Sequence, residues 1–315
     1  MHGTNQLPAP AARRPLDQVL RAIVVDALRV GVGETLPTNS HYLRTVGASA
    51  GTVQRAIKTL ADQEALVTAS HGHQGRTVGS LHVGAAWHIA GLSPLRLLFP
   101  PSGPAEIDAL TEALAGELTE LGVPHTIRHQ RGGTRRLAAL HAGAYDLAVV
   151  SSGAFRGATQ ASDAAPSLTL APGTYYAPHR LVAVTRTGDD PPGPGARVAI
   201  DDDSPDHVLL TQSAFPPDRG YTYVNCRFPE VPTAVLRRQV DVGIWHLSHT
   251  VIPLDLAGLS CADMERLDTV TDWREVSAAV LVGGTQRGEL RSVLASIRLP
   301  NLFSAQQQWL RDESS

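Results

Sequence analysis

From residue 95 to the C-terminus, short apolar runs alternate with amphipathic segments, and nothing else in this 315-residue chain restricts its fold as strongly. The segments "LRLLFPPSG", "PHTIRH", "YDLAVVSSGAF", "HRLVAVTR", "RVAIDDDS", "TYVNCR", "DVGIWHL" and "VSAAVLVGG" read as strands. Between them "AEIDALTEALAGELTELG", "TRRLAALHAG", "PDHVLLTQSAF" and "TAVLRRQV" read as helices, and "GELRSVLASIRL" and "NLFSAQQQWLRD" close the chain. A strand followed by a helix has to return over its sheet before the next strand, so such alternation predicts parallel sheets with right-handed crossovers. Two consecutive sets of these units, around "AGAYDLAVV" and "RRQVDVGIW", predict an α/β domain of two similar lobes.

The first 81 residues follow another grammar. Residues 1–14 read as a flexible N-terminus. Leu16, Val19, Leu20, Ile23, Val24, Ala27 and Leu28 recur at helical spacing until Gly31 and Gly33 stop them. A second helix starts at Thr38 or Asn39 and turns Tyr42, Leu43 and Val46 inward, and Gly47-Ala48-Ser49 makes a tight turn into a third. There Val53, Ile57 and Leu60 form one buried stripe. Gly51, Arg55 and Lys58 point the opposite way, and Thr52 and Gln54 flank them. Lys58 is the only lysine of the chain. Two short strands, 66–70 and 76–81, surround the glycine-punctuated tip "HGHQG". Three helices, a three-residue turn and a trailing hairpin predict a winged helix-turn-helix over 15–81, followed by a connector at 82–94 and the two-lobed domain at 95–315.

Charge divides along the same line. Residues 1–80 hold eight Lys/Arg against five Asp/Glu, a surplus of three, whereas the remaining 235 carry six net negative charges. A basic N-terminal segment on an acidic body predicts that a nucleic-acid partner meets the N-terminus. With 43% hydrophobic and 18% charged residues, and no apolar run of bilayer length, the chain reads as soluble and globular. "MHGTNQLPAPAARRPLDQ" lacks the apolar core of a secretory signal, so a cytoplasmic location is expected, with Cys226 and Cys261 free, reduced and buried.

"LPTNSHYLRTVGASAGTVQRAIKTLADQEAL…GHQGRTV" resembles the GntR-type winged-helix repressor domain over residues 15–80, and more closely its YhfZ-like branch, where the "TVQRA" core and the "LPTN" start recur. Where the usual GntR pattern has arginines, this chain has Ser40, Ala50 and Gln54, so Gln54, Arg55 and Lys58 become the local candidates for DNA contacts. Residues 95–315 resemble the type II periplasmic-binding-protein fold, and more narrowly the C-terminal domain of the YhfZ family. The matching segments are "LAPGTYY", "RVAIDDDSPDHVLLT", "AGAYDLAVVS" and "RRQVDVGIW". The first loop departs from the family, with Pro100-Pro101-Ser102-Gly103 where a tyrosine often precedes the serine. The resemblance implies a DNA-binding regulator with a small-molecule pocket between its lobes.

The candidate DNA-binding residues are Thr38, Asn39, Ser49, Thr52, Gln54, Arg55 and Lys58, with His71, His73 and Gln74 at the wing tip for a phosphate or the minor groove. A single small winged helix offers few contacts, so a homodimer on a palindromic double-stranded operator is expected. In open α/β lobes ligands lie beyond the carboxyl ends of strands, where helix N-termini offer free N–H groups. That rule selects Ser102, Gly103, Arg131, Gly132, Thr134, Ser151, Ser152, Asp202, Asp203 and Ser204, with Tyr175 and Trp245 as aromatic walls. The same serines and aspartates could simply cap helices, and Trp245 could be core. Arg128, Arg131, Arg135 and Arg136 facing Asp201, Asp202, Asp203 and Asp206 would suit a zwitterionic effector, unless both runs are solvated faces.

No metal or other cofactor is expected: neither His71/His73 nor His246/His249 is completed by a further ligand at metal spacing. "VVSSGAF" is not a nucleophile elbow. Residues 59–315 contain no lysine, which excludes the pyridoxal Schiff base of regulators with aminotransferase-like domains. A ligand-gated repressor without enzymatic activity is therefore expected, and a small-molecule enzyme fused to a DNA-binding domain is the alternative.

Overall fold

A computed structural model describes residues 14–70, 75–158, 165–247, 252–264 and 276–313. The flexible N-terminus expected for residues 1–14 thus falls almost wholly outside the described residues, as do His71, His73, Gln74 and His249. The chain separates into two compact units: one runs to Ser93 and includes Glu289–Val293, and the other takes Pro94–Gly288 and Leu294–Ser315. Among the described residues no helix is long and apolar enough to cross a membrane.

In the first unit α1 (Pro15–Val30) starts with proline at its first position, where no N–H is needed. It buries Val19, Leu20, Ile23, Val24, Ala27 and Leu28. The helices α2 (Asn39–Val46) and α3 (Ala50–Asp62) are joined at Gly47, whose φ of +68° favours glycine. Tyr42 of α2 is buried, whereas Leu43 and Val46 are half-buried. On α3 the buried stripe is Val53, Ala56 and Leu60, and Ile57 lies at its edge. The strands β1 (Thr35–Leu36), β2 (Leu66–Ser70) and β3 (Arg76–Leu81) form an antiparallel sheet in the order β1-β3-β2. The two-residue β1 is too short to leave a sequence pattern.

The segment expected to be a plain connector contains α4 (Val83–Ile89), capped at Ala85 N by His82 Nδ1. Trp87 is wholly buried and donates from Nε1 to Ser93 O at 3.3 Å. Arg21 of α1 donates to Gly91 O at 3.0 Å. Seven residues give too few turns for periodicity to show, so the helix was hidden in the sequence.

The second unit holds two sheets. The first comprises β4 (Leu95–Phe99), β5 (His125–His129), β6 (Leu147–Ser151), β7 (Ser167–Thr169) and β13 (Ala279–Gly283), in the order β5-β4-β6-β13-β7. The second comprises β8 (Leu181–Arg186), β9 (Arg197–Ile200), β10 (Thr222–Asn225), β11 (Val242–His246) and β12 (Leu259–Asp263), in the order β10-β9-β11-β8-β12. The helices α5 (Ala105–Glu120), α6 (Gly133–His141), α7 (Ser152–Ala158), α8 (Pro205–Ala214) and α9 (Val231–Leu236) lie between the strands, and α10 (Leu290–Ser296) and α11 (Leu299–Glu313) follow β13.

Neither sheet is wholly parallel, contrary to expectation. β4 pairs parallel with β5 and β6, and β9 with β10 and β11, but β13 runs antiparallel to β6 and β7, and β8 to β11 and β12. Nor are the lobes two consecutive halves. After completing the second sheet the chain returns to insert β13 into the first, and α11 packs on α5 of the first lobe. Buried Gln306 of α11 donates to Glu106 O and Thr174 O, both at 2.9 Å, so the C-terminal helix seals that lobe. Leu98, Leu140, Ala148, Val150 and Val280 centre one core, and Val184, Val231, Val235, Val240 and Trp245 the other. The two cysteines are free, but Cys226 is only half-buried and Cys261 is exposed, because it lies on the edge strand β12.

Candidate ligand-binding cavity between the lobes

Three helices of the second unit begin at one place. The first turn of α5 (Pro104, Ile107), that of α6 (Gly132, Gly133, Arg136) and that of α8 (Ser204, Pro205, Asp206) line a cavity of about 140 Å3 between the two lobes. Pro100, Pro101, Tyr175, Tyr176, Phe228, Pro229 and Trp245 supply most of its apolar wall. The helices point this way because each follows a strand carboxyl end, and their unpaired N–H groups make such ends polar and anion-favouring.

Of the twelve loop and wall residues singled out from the sequence, Ser102, Arg131, Gly132, Tyr175, Ser204 and Trp245 line this cavity, and Arg136, Asp201 and Asp206 of the two charged runs line it as well. Trp245 is also part of a core, so one indole serves both purposes. The other six do not line it. Gly103 N donates to Asp108 Oδ2 at 3.0 Å, capping α5. Thr134 is exposed on α6. Ser151 is buried behind the wall: its Oγ donates to Asp206 Oδ2 and accepts from Ala154 N. Ser152 N donates to Ala278 O at 2.8 Å, fixing strand pairing. Asp202 faces Asn225 Nδ2 at 2.6 Å. Asp203 is taken by Arg135 at 2.6 Å and by Arg131 at 3.3 Å.

This last contact overturns the simple opposition of a cationic and an acidic lobe. Arg131 and Arg135 belong to the first lobe and Asp203 to the second, so both arginines share one carboxylate across the cleft. Two further links join the lobes. His246 Nε2 lies 2.6 Å from Glu106 Oε1, and Tyr176 OH donates to Asp206 Oδ2 at 3.0 Å. Glycines allow the approach: a Cβ on Gly153 would lie 2.4 Å from Asp206 Oδ1, and one on Gly132 would lie 3.2 Å from Asp203 O.

The adjacent Arg135 and Arg136 have opposite fates, since neighbouring helix positions face different directions. Arg135 is exposed, whereas Arg136 is 2% exposed and lines the cavity. Its guanidinium donates to Val149 O at 2.9 Å, Gln130 O at 2.8 Å and Tyr175 OH at 2.8 Å. Burial raises the Asp206 carboxyl despite the donors Ser151 and Tyr176, and burial together with Asp206 holds the Tyr176 phenol well above its ordinary value. Burial also works to raise Glu106, but His246 beside it outweighs that and lowers it. His207 is held down to about 4 by burial. Sequence reasoning did not include Tyr176, Phe228 and His246 in the pocket. The "YY" pair at 175–176 and the strand-end histidine after Trp245 were the available signals.

In the first unit the exposed face of α3 carries Gln54, Arg55 and Lys58. Lys58 Nζ is paired with Asp62 at 2.9 Å, one helical turn on. Ser49 Oγ accepts from Thr52 N at 3.2 Å and lies 2.9 Å from Thr52 Oγ1, so both hydroxyls are engaged in capping α3. Thr38 precedes α2 without a capping hydrogen bond from its side chain. Thr38, Asn39 and Gln54 line one surface concavity together with Ser40, Ser70 and Arg76. Arg76 escaped notice because a strand residue has no helical spacing to mark its face.

Residues 83–315 match the family model described as the YhfZ C-terminal domain. The chain belongs to that family. Over 215 residues it is 25% identical to the YhfZ protein of Escherichia coli K12, covering 68% of this chain and 69% of that one. The crystal structure of YhfZ from Shigella flexneri superimposes with a TM-score of 0.55 at 22% identity, covering 70% of this chain and 92% of that one. The alkanesulfonate-binding protein SsuA from Xanthomonas axonopodis pv. citri, solved bound to MOPS, matches with a TM-score of 0.53 at 16% identity, over 70% of this chain and 75% of its own. The YhfZ C-terminal domain therefore has a mixed α/β, periplasmic-binding-protein-like fold. The family match begins at α4, which packs within the N-terminal unit.

Proposed function

We propose that this YhfZ-family protein is a DNA-binding transcription regulator whose operator affinity is set by a small molecule held between the lobes of its C-terminal domain. The observation that carries the reading is the presence in one chain of an exposed, cation-bearing helix face on α3 and a cavity between two α/β lobes. In this reading the first unit is a GntR-like winged helix-turn-helix. α3 enters the major groove, Gln54 and Arg55 lie near base edges, Lys58 leaves Asp62 for a phosphate, and Arg76 supports the wing side. The protein acts in the cytoplasm as a homodimer on a two-fold operator, in keeping with its basic N-terminal segment.

The cavity is read as a binding site and not an active site. Its carboxylates Asp201 and Asp206 accept hydrogen bonds from Phe228 N and Asp203 N, and from Ser151 and Tyr176. Asp201 is filled in this way, and Asp206, although its Oδ1 has no partner, is almost wholly buried, which leaves both poorly placed to exchange protons with a substrate. A bound ligand recovered chemically unchanged after prolonged incubation supports this.

The test is selection of duplex DNA from a random pool with the full chain, followed by anisotropy titrations at several salt concentrations. Arg55→Ala should lose about 1–3 kcal/mol of discrimination at one base-pair position, and Lys58→Ala should weaken all sequences similarly and flatten the salt slope. Parental binding by both variants would exclude α3 as the reader.

A further inference from the structure

The cavity carries a charge asymmetry that indicates what it takes. Most of its acid oxygens are provided for within the chain: Glu106 Oε1 accepts from Ala177 N at 2.9 Å and from His246, and Arg180 Nε lies 3.8 Å from Oε2, while Asp206 keeps Oδ1 without a hydrogen bond and burial raises that carboxyl. Its arginines retain unmet donors beside the cavity. Arg136 is buried, yet its three hydrogen bonds go to neutral oxygens, and it has no carboxylate within ion-pair distance among the described residues. A guanidinium has five N–H donors, so two of them remain. Arg136 also lies in the first turn of α6, where the helix dipole disfavours a cation, and that turn contains no acid. Arg131 lies just before the same helix. Its Nη1 is buried without a hydrogen bond, 3.7 Å from Asp201, and its Nη2 shares Asp203 with Arg135. The α6 N-cap is Gly132, with φ +80° and no side chain to occupy the free N–H groups. A buried guanidinium with no carboxylate at ion-pair distance, as at Arg136, is costly, and an anion at this point fills the open donors of Arg136, the unbonded Arg131 Nη1 and the helix end together.

We infer that the effector is a small organic anion of single charge, its head bound by Arg131 and Arg136 at the N-terminus of α6 and its apolar body lying against Tyr175, Phe228 and Trp245. This assignment rests on the reading of the cavity as the effector site. It replaces the zwitterion expected from the sequence, because Asp201, Asp202 and Asp203 are spent on Arg135, Asn225 and backbone N–H groups, and Asp206 is taken at Oδ2 by Ser151 and Tyr176 and raised by burial. Asp201, 3.7 Å from Arg131, and Asp203, shared by Arg131 and Arg135, already offset part of the positive charge, which leaves room for one negative charge and not two. The volume of about 140 Å3 is close to that of a cavity that holds benzene.

The test is calorimetry on the full chain at neutral pH with probes of similar size and different charge: pentanoate, butanesulfonate and benzoate, against glutarate, butylamine, 5-aminopentanoate and benzamide. The expected result is binding of the monoanions at millimolar concentration or below, in preference to all the others. Arg131→Gln should weaken that binding roughly tenfold or more, the loss of a charge-assisted hydrogen bond. Arg128→Gln removes the same charge from an exposed position on β5 outside the cavity and should leave it unchanged. Equal or tighter binding of the amine, zwitterion, dianion or amide overturns the assignment. So does an Arg131→Gln variant that keeps its fold by circular dichroism and binds the monoanions as the parent does, and so does no binding of any monoanion. DNA affinity is measured separately. Monoanion binding lost in Arg131→Gln but without effect on DNA would overturn the regulator reading and leave the anion site standing.

Discussion

Three buried side chains around the cleft illustrate how the interior accommodates polar groups. His207 accepts at Nδ1 from Asp201 N at 2.8 Å and faces Ile244 O with Nε2 at 2.9 Å, which requires the neutral ring with its proton on Nε2. Burial accordingly holds it down to about 4, from 6.5. For a base whose folded value is depressed, the unfolded chain takes up the proton first as pH falls. The contribution is thus unchanged above about 6.5, stability is lost between there and about 4, and the loss stops below. The gap corresponds to about 3 kcal/mol. Urea unfolding at pH 7 and pH 4.5 should show a steeper acid loss in the parent than in His207→Gln, and equal losses in the two proteins would contradict the assignment. Asp206 works in the opposite sense, because burial raises its carboxyl and folding there favours the protonated form. Arg136, the third, turns its guanidinium to neutral oxygens and the cavity.

At the scale of elements, α7 separates two kinds of glycine. Gly153 faces the second lobe, and a Cβ there would meet Asp206 Oδ1 at 2.4 Å and Val276 Cγ1 at 2.8 Å. Gly157, one turn further along, has nothing within 4 Å. Gly153→Ala should therefore lower stability by about 1–3 kcal/mol through overpacking. Gly157→Ala should raise it by about 0.5–1 kcal/mol, since alanine loses less backbone freedom in a helix. Thermal unfolding of the two variants should move in opposite directions, and a shift of the same sign in both would refute the close approach of α7 to Asp206. Helices with a sustained apolar stripe, such as α1 and α5, and most strands bounded by turn residues were legible in advance. α4, α7, β1, β7 and β12 were not, because two helical turns, or a strand of two to five residues without a strong apolar run, leave too little pattern. α3 lies between these cases: its exposed face was readable, but the engagement of Ser49 with Thr52 and of Lys58 with Asp62 required coordinates.

For the molecule as a whole, the proposed coupling of ligand to DNA makes a reciprocal demand. If a monoanion changes operator affinity by some factor, operator must change monoanion affinity by the same factor, because both are legs of one cycle. Calorimetry of the ligand with and without saturating operator duplex, set beside anisotropy with and without saturating ligand, checks this. Unequal factors would show that the two measurements do not follow the same equilibrium. Couplings of this type typically amount to about 1–3 kcal/mol, so the expected change is roughly 5–150-fold. A ligand that shifts neither equilibrium would separate the cavity from DNA binding altogether.

By itself the sequence determined the order and kind of the longer elements, the change of grammar near residue 95 and the loops beyond the strand ends, because those features depend on local periodicity and on turn residues. Ser102, Arg131, Gly132, Tyr175, Ser204 and Trp245 could be picked out on that basis. Only the tertiary structure decided which loops face each other. Bringing β13 and α11 back into the first lobe joins residues 200 positions apart, Glu106 and Gln306, and no local pattern encodes that return. It also decided the partners of the charges. Arg135 and Arg136 are neighbours of the same type in the sequence, yet one meets Asp203 across the cleft while the other is buried among neutral oxygens. The physical reason is that ion pairing and burial depend on distance in space, which the folded chain sets and sequence spacing does not.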